Sequence, residues 1–291
     1  MYQAKESGRG RAVFFEVEMQ QALQRRVALV NAMHQALQHG GFVVHYQPIV
    51  SERASEGIAV EALARWPGNS PEDWILPARF IPIAEETGQI IKLGEWVLRT
   101  ACEQFERWRA AGVGIKYISV NVSVRQLSQA DFASRLRAIL AQTRMRGREL
   151  QIELTESVLA CGAQLEQTLQ EIVAQGVRVA LDDFGTGYSS LSYLSRFPIH
   201  TVKIDRSFVH ELPADSAACR LTESIVAMCG VLGKNVVAEG VETEAQQSFL
   251  RSAGCTTIQG YLVARPMEAA GIPDFLRRLR SDSTPRVPAR A

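Results

Sequence analysis

Residues 179–190 read VALDDFGTGYSS, an apolar, strand-like run that ends on two adjacent carboxylates, Asp182 and Asp183, with Gly185 and Gly187 just beyond. Like charges side by side at the end of an apolar run repel each other, and burying them uncompensated is costly. Other strand-like runs also carry one polar residue near their ends: Glu61, Asn121, Glu153, Lys203, Glu239 and Gln259. Singly, each has an ordinary reading as a cap, a turn residue or, for Lys203 and Asp205, a local ion pair. Together they do not. Glu61, Glu153, Asp182, Asp183 and Glu239, aimed at one place with a single lysine, cannot all stay ionised without added positive charge. Carboxylate and amide oxygens favour Mg²⁺ or Mn²⁺ over zinc or copper. An aspartate pair can supply a bridging ligand between two ions about 3.5–4 Å apart, an arrangement that activates water for in-line attack on phosphorus.

Such convergence requires elements that bring distant residues to one rim. Strand-like runs fall at 42–50, 57–66, 117–123, 150–157, 177–184, 201–209, 235–242 and 256–262. Amphipathic stretches of helical period, such as 94–112 and 218–234, lie between the later ones. Eight strands joined mostly by helices predict an α/β fold, a (β/α)8 TIM-like barrel, whose strands deliver their C-terminal residues to one face. Only the short polar turn SERASE separates the first two strands, so they are expected to pair antiparallel. An open doubly wound sheet is the alternative, but no GxGxxG follows any strand. Residues 17–39 read as a linker helix and 40–280 as the barrel, while the Pro/Ser/Arg-rich stretch 281–291 reads as a disordered tail.

The remaining composition narrows the chemistry. With 32 basic and 31 acidic residues there is no electrostatic case for DNA, RNA or a membrane surface. No apolar run reaches the length of about 18 residues that marks a membrane span, and the N-terminus lacks a secretory apolar core. A cytoplasmic location is expected. Five scattered cysteines without a CxxC, and five histidines without HxH or HExxH, leave metal binding to oxygen ligands. The DFG at 183–185 is also a protein-kinase motif, but no VAIK or HRD accompanies it.

The tripeptide Glu61-Ala62-Leu63 stands in the setting EALARW, and YQPIV, FIPIAEETG, VNVS, ELTES, DDFGTGYSS, KIDRSFV, AEGVET and QGYL are present in family order. Over roughly residues 30–280 the chain resembles an EAL-domain cyclic di-GMP phosphodiesterase. The stretch 1–16 resembles the end of a GGDEF domain, which implies an upstream GGDEF or sensor region in a longer protein. The resemblance implies hydrolysis of 3′,5′-cyclic di-GMP to linear pGpG with two divalent ions, Mg²⁺ or Mn²⁺, Ca²⁺ being inhibitory. It implies Glu61, Asn121, Glu153 and Asp182 as ligands of one ion and Asp182, Asp183 and Glu239 as ligands of the other. Lys203 matches the lysine that contacts the attacking water, and Glu156 the glutamate that steadies the DDFGTGYSS loop. Gln47, Leu63 and Arg65 match substrate contacts, with Gln259, Glu242 and Tyr261 as further candidates. A homodimer through the barrel is also implied. Thr256 and Val263 depart from the family pattern, beyond the ligand positions. Two other readings stay open from the residues: a catalytically inactive cyclic di-GMP receptor module, and a barrel glycosidase using Glu153 and Glu239.

Overall fold

The computed structural model describes residues 17–52, 57–68, 74–160, 163–185 and 191–282. The GGDEF-like stretch 1–16, the loop residues 186–190 with Gly187, and the tail from 283 lie outside the described residues.

The strands are β1 (Val43–Ser51), β2 (Ile58–Pro67), a short β3 (Trp74–Ile75), β4 (Ile115–Asn121), β5 (Leu150–Thr155), β6 (Arg178–Phe184), β7 (Thr201–Ile204), β8 (Asn235–Ala238) and β9 (Thr257–Ile258). All but β3 close into a ring in the order β1-β2-β4-β5-β6-β7-β8-β9, with β9 returning to β1. From β2 through β9 the ring strands run parallel, while β1 runs antiparallel to both its neighbours. The closed barrel with an antiparallel first pair is the expected fold.

Strand alternation decides what faces where. Along β5, Leu150, Ile152 and Leu154 join the main apolar core, whereas Gln151 and Glu153 are buried yet polar. The same alternation sets Val202 and Ile204 apart from Thr201 and Lys203 on β7. The core is thus a shell between the barrel and its surrounding helices. The inside of the barrel is largely polar, with Ile49, Ala59 and Val237 forming a separate small apolar cluster.

Among the helices, α1 (Val17–His39) buries Leu29 and Met33 and packs on α2 (Pro77–Thr87). Long α3 (Ile90–Ala110) buries Leu93, Val97, Ala101, Phe105 and Trp108, one stripe at helical spacing. Three of the expected strands stop well short of their apolar runs. The run 201–209 stops at Ile204 because the Asp205 carboxylate accepts the Ser207 N–H and caps a helix, Arg206–His210. The run 256–262 yields only two strand residues, since Gly260 lies against the Val241 backbone, where a Cβ would come within 2.1 Å of the carbonyl oxygen. The run 235–242 ends at Ala238, and Gly240 follows with a left-handed φ of 64°. The last helix, Gly271–Asp282, takes in Ser281 and Asp282, which the sequence reading assigns to the tail.

Candidate active site

The polar residues expected at strand ends do converge. Lys203, 1% exposed, is buried at their centre. Its Nζ lies 2.5 Å from Glu239 Oε1, 2.7 Å from Glu153 Oε2, 3.3 Å from Asp182 Oδ1 and 3.4 Å from Glu61 Oε2. The local pair with Asp205 is not what Lys203 makes, because Asp205 is spent on its helix cap. Glu61 is held on both oxygens: Asn121 Nδ2 donates to Oε1 at 2.6 Å and Gln259 Nε2 to Oε2 at 2.5 Å. Gln259 also donates to Gln47 Oε1, and Gln47 in turn to the Ala264 carbonyl.

Adjacent residues on a strand point to opposite faces, so Asp182 and Asp183 should diverge. They do not, because the β6–β7 register shifts between Leu181 and Phe184 and Asp183 adopts a left-handed φ of 53°. This conformation is unusual outside glycine, and Asp is among the residues that tolerate it. Gly185 at φ 102° follows; a Cβ there would meet the Phe208 ring at 2.7 Å. Its N–H donates to Glu156 Oε2 at 3.2 Å. The result is a cluster in which Asp182, Asp183 and Glu239 each bring a carboxylate oxygen within 4.8 Å of the others.

The electrostatics record how strained this gathering is. Burial pushes Glu239 up to about 8 despite Lys203 beside it. Burial and the neighbouring Glu61 hold Glu153 well above the usual carboxylate range. Burial and Asp182 raise Asp183. Burial opposes ionisation of Glu61 too, but Lys203 and the Gln259 and Asn121 donors outweigh it and hold this group below its ordinary value. Burial also disfavours the Lys203 ammonium, yet its four carboxylate neighbours raise it well above normal. At the centre of the site a single ammonium, that of Lys203, faces four of these carboxylates.

Two cavities flank this rim. One of about 870 Å³ is bordered by Leu63, Arg65, Pro77, Ile81, Asn121 and Val122. The other, about 240 Å³, is bordered by Gln47, Leu63, Glu239, Glu242, Gln259 and Tyr261. Leu63 borders both. The chain matches the EAL domain family over residues 30–266. It belongs to that family. The EAL domain here is 42% identical over 92% of its length to the Pseudomonas aeruginosa bifunctional diguanylate cyclase/cyclic di-GMP phosphodiesterase MucR, covering 39% of that protein. It is 38% identical over 96% of its length to the Escherichia coli cyclic di-GMP phosphodiesterase PdeR, covering 42% of it. The chain therefore spans about two fifths of these curated relatives. The solved PaMucR phosphodiesterase in complex with c-di-GMP aligns with a TM-score of 0.80 at 41% identity, over 84% of this chain and 99% of that one.

Some features of this EAL domain were not foreseen. Arg206 borders the smaller cavity beside Glu239, and Gly240 makes room for it, since a Cβ there would lie 2.5 Å from Arg206 Cβ. The signal was present as the basic residue following KID, but only the helix cap at Asp205 turns it to the rim. Arg265 stacks over the Tyr261 ring at 4.1 Å, leaving that half-exposed side chain partly covered.

Proposed function

We propose that this EAL domain hydrolyses one phosphodiester bond of cyclic di-GMP, giving linear pGpG, with two divalent cations, Mg²⁺ or Mn²⁺. The observation that carries the reading is the gathering of carboxylates around Lys203. Five carboxylates against one ammonium leave an excess of four negative charges, the charge of two divalent ions. Asp182 Oδ1 is buried, accepts no hydrogen bond and has the Lys203 ammonium 3.3 Å away, which suits an atom that can also ligate a cation. Glu61, Asn121, Glu153 and Asp182 would hold one ion, and Asp182, Asp183 and Glu239 the other. When bound, such a pair polarises the phosphoryl oxygens and favours deprotonation of a water.

The rest falls to the chain's own groups. Lys203 is buried and held by four partners, so its ammonium is fixed in direction where it can orient the nucleophile. Arg65 suits a phosphate oxygen, since its guanidinium is always charged and can engage two oxygens. The two cavities on either side of Leu63 fit a ligand with two bases, Arg65 serving one side and Gln47, Glu242, Gln259 and Tyr261 the other. Glu156, through the Gly185 N–H, steadies the turn that sets Asp183. A water oxygen bonds to phosphorus as the P–O3′ bond breaks, and the departing 3′ oxygen takes up a proton.

An assay of the purified, metal-stripped protein tests this: pGpG forms when Mg²⁺ or Mn²⁺ is restored. Tight cyclic di-GMP binding with no product under either ion would instead make the domain a receptor. Glycoside hydrolysis that survives EDTA, with no pGpG formed, would point to the two-carboxylate glycosidase type of site. A cytoplasmic location, a homodimer through the barrel and an upstream GGDEF or sensor region belong to the same proposal for the longer protein, sedimentation testing the dimer.

A further inference from the structure

Beneath the acidic rim, the barrel interior carries three neutral polar side chains that have no part in the proposed chemistry: Ser119 on β4, Gln151 on β5 and Thr201 on β7. They are 0, 1 and 3% exposed. Each stands two residues before a rim residue of its own strand, namely Asn121, Glu153 and Lys203, so strand period turns all of them inward. They are bonded in series. Thr201 Oγ1 donates to Gln151 Oε1 at 3.2 Å, Gln151 Nε2 donates to Ser119 Oγ at 3.2 Å, and Ser119 Oγ donates to Glu153 Oε1.

Three other inward positions of this layer are apolar, with Ala180 two residues before Asp182, and Ala59 and Val237 two before Glu61 and Glu239. Apolar side chains could therefore have filled the space under Glu153 as well. Buried polar groups that gain little net stability call for a reason. Direction supplies one. A ligating carboxylate only accepts hydrogen bonds, so Ser119 must give it the hydroxyl proton. The serine oxygen is then left to accept the Gln151 amide, whose own oxygen takes the Thr201 proton. The series runs in one direction and ends on Glu153 Oε1, while Lys203 holds Oε2 at 2.7 Å from the other side.

We infer that Thr201, Gln151 and Ser119 are positioning residues, which fix the Glu153 carboxylate in the orientation a divalent cation requires. The inference rests on the two-cation reading above. The test is direct Mn²⁺ binding to metal-stripped protein by electron paramagnetic resonance, with melting temperature measured alongside. Ser119→Ala is expected to weaken Mn²⁺ binding about 10–100-fold. Thr201→Val, nearly the same shape and touching no proposed ligand, weakens it by a smaller factor. Thr201→Ser, which keeps the hydroxyl, restores wild-type affinity. The Ser119→Ala/Thr201→Val pair binds no more weakly than Ser119→Ala alone, because the series is already cut. Variants that melt lower but bind Mn²⁺ like the wild type would overturn the inference and leave the network structural only. If Ser119→Ala fails to fold, the Thr201 pair decides on the same criterion. Wild-type protein that binds no Mn²⁺ would overturn the two-cation reading itself, a result distinct from equal affinities.

Discussion

Replacing Lys203 with methionine keeps the bulk of the side chain and removes its charge, which separates the structural use of the ammonium from its chemical use. At about 3 Å, each lysine–carboxylate contact is worth roughly 5 kcal/mol of attraction at an effective dielectric of 20. The four contacts do not sum, because desolvation of the ammonium and repulsion among the acids offset most of the gain. Removing one partner of a buried charged group costs about 3–5 kcal/mol. For a domain of this size that lowers the metal-free melting temperature by roughly 6–20 °C. Saturating Mg²⁺ supplies the missing positive charge to the same carboxylates, so the deficit should shrink to half or less. Turnover should still fall by at least about 100-fold, because the group that orients the nucleophile is gone. Scanning calorimetry in EDTA and in Mg²⁺, with a pGpG assay, reads all of this. An equal deficit with and without Mg²⁺ would refute the argument that ammonium and metal serve the same charges.

Asp182→Ala and Glu61→Ala should both abolish turnover but differ in the metal-free protein. Asp182 Oδ1 accepts no hydrogen bond, and the loss of its ion pair with Lys203 is offset by relief of its repulsion of Glu153, Asp183 and Glu239, so the melting temperature stays unchanged or rises, whereas Glu61→Ala orphans the Asn121 and Gln259 donors and lowers it. A large metal-free drop for Asp182→Ala would count against the ligand assignment. Glu239 binds its proton more tightly in the folded state, with burial lifting it to about 8. Its contribution is therefore full below the unfolded value and is lost as pH rises through 8, by about 1.4 kcal/mol between roughly pH 7 and 9. Metal-free wild type should lose stability over that window relative to Glu239→Gln; parallel melting curves would contradict this. Gly185→Ala is expected to destabilise by about 1–3 kcal/mol, from its left-handed φ and the Phe208 contact, and to weaken metal binding by displacing Asp183. Ca²⁺ added against Mg²⁺ should inhibit, since its larger, looser coordination suits a tight octahedral pair poorly.

Much of this architecture is legible in the chain because a barrel strand reads as alternation. In LQIELT the apolar residues face the helices and the polar ones face inward, so Glu153 announces itself as an inward acid. Ring closure then does what no single strand can, bringing Glu61 and Lys203, far apart in sequence, into contact. Alternation fails where the backbone breaks period. Nothing in DDF says that Asp183 turns back beside Asp182, because that depends on a register slip against β7 and a left-handed residue. The ends of the later strands fail for a similar reason, since the Asp205 cap and the tight approach of Gly260 to Val241 override apolar runs that continue through them. Ser119, Gln151 and Thr201 are quieter still. Each is a common strand residue, and only their mutual hydrogen bonds distinguish them from filling.

The two faces of each barrel strand explain why the acids are tolerated at all. A barrel closed around five carboxylates with only protons and one lysine to compensate them would be a poor choice for stability, and the raised Glu153, Asp183 and Glu239 show that cost. The outward faces of the very strands that carry the acids are apolar and fully buried, as Val60, Ile152 and Leu181 illustrate. Hydrophobic burial on one face of each strand can therefore hold an electrostatically unfavourable arrangement on the other. Stability and chemistry are assigned to opposite faces of the same residues' strands, so a change to the acids can remove function while the shell keeps the fold.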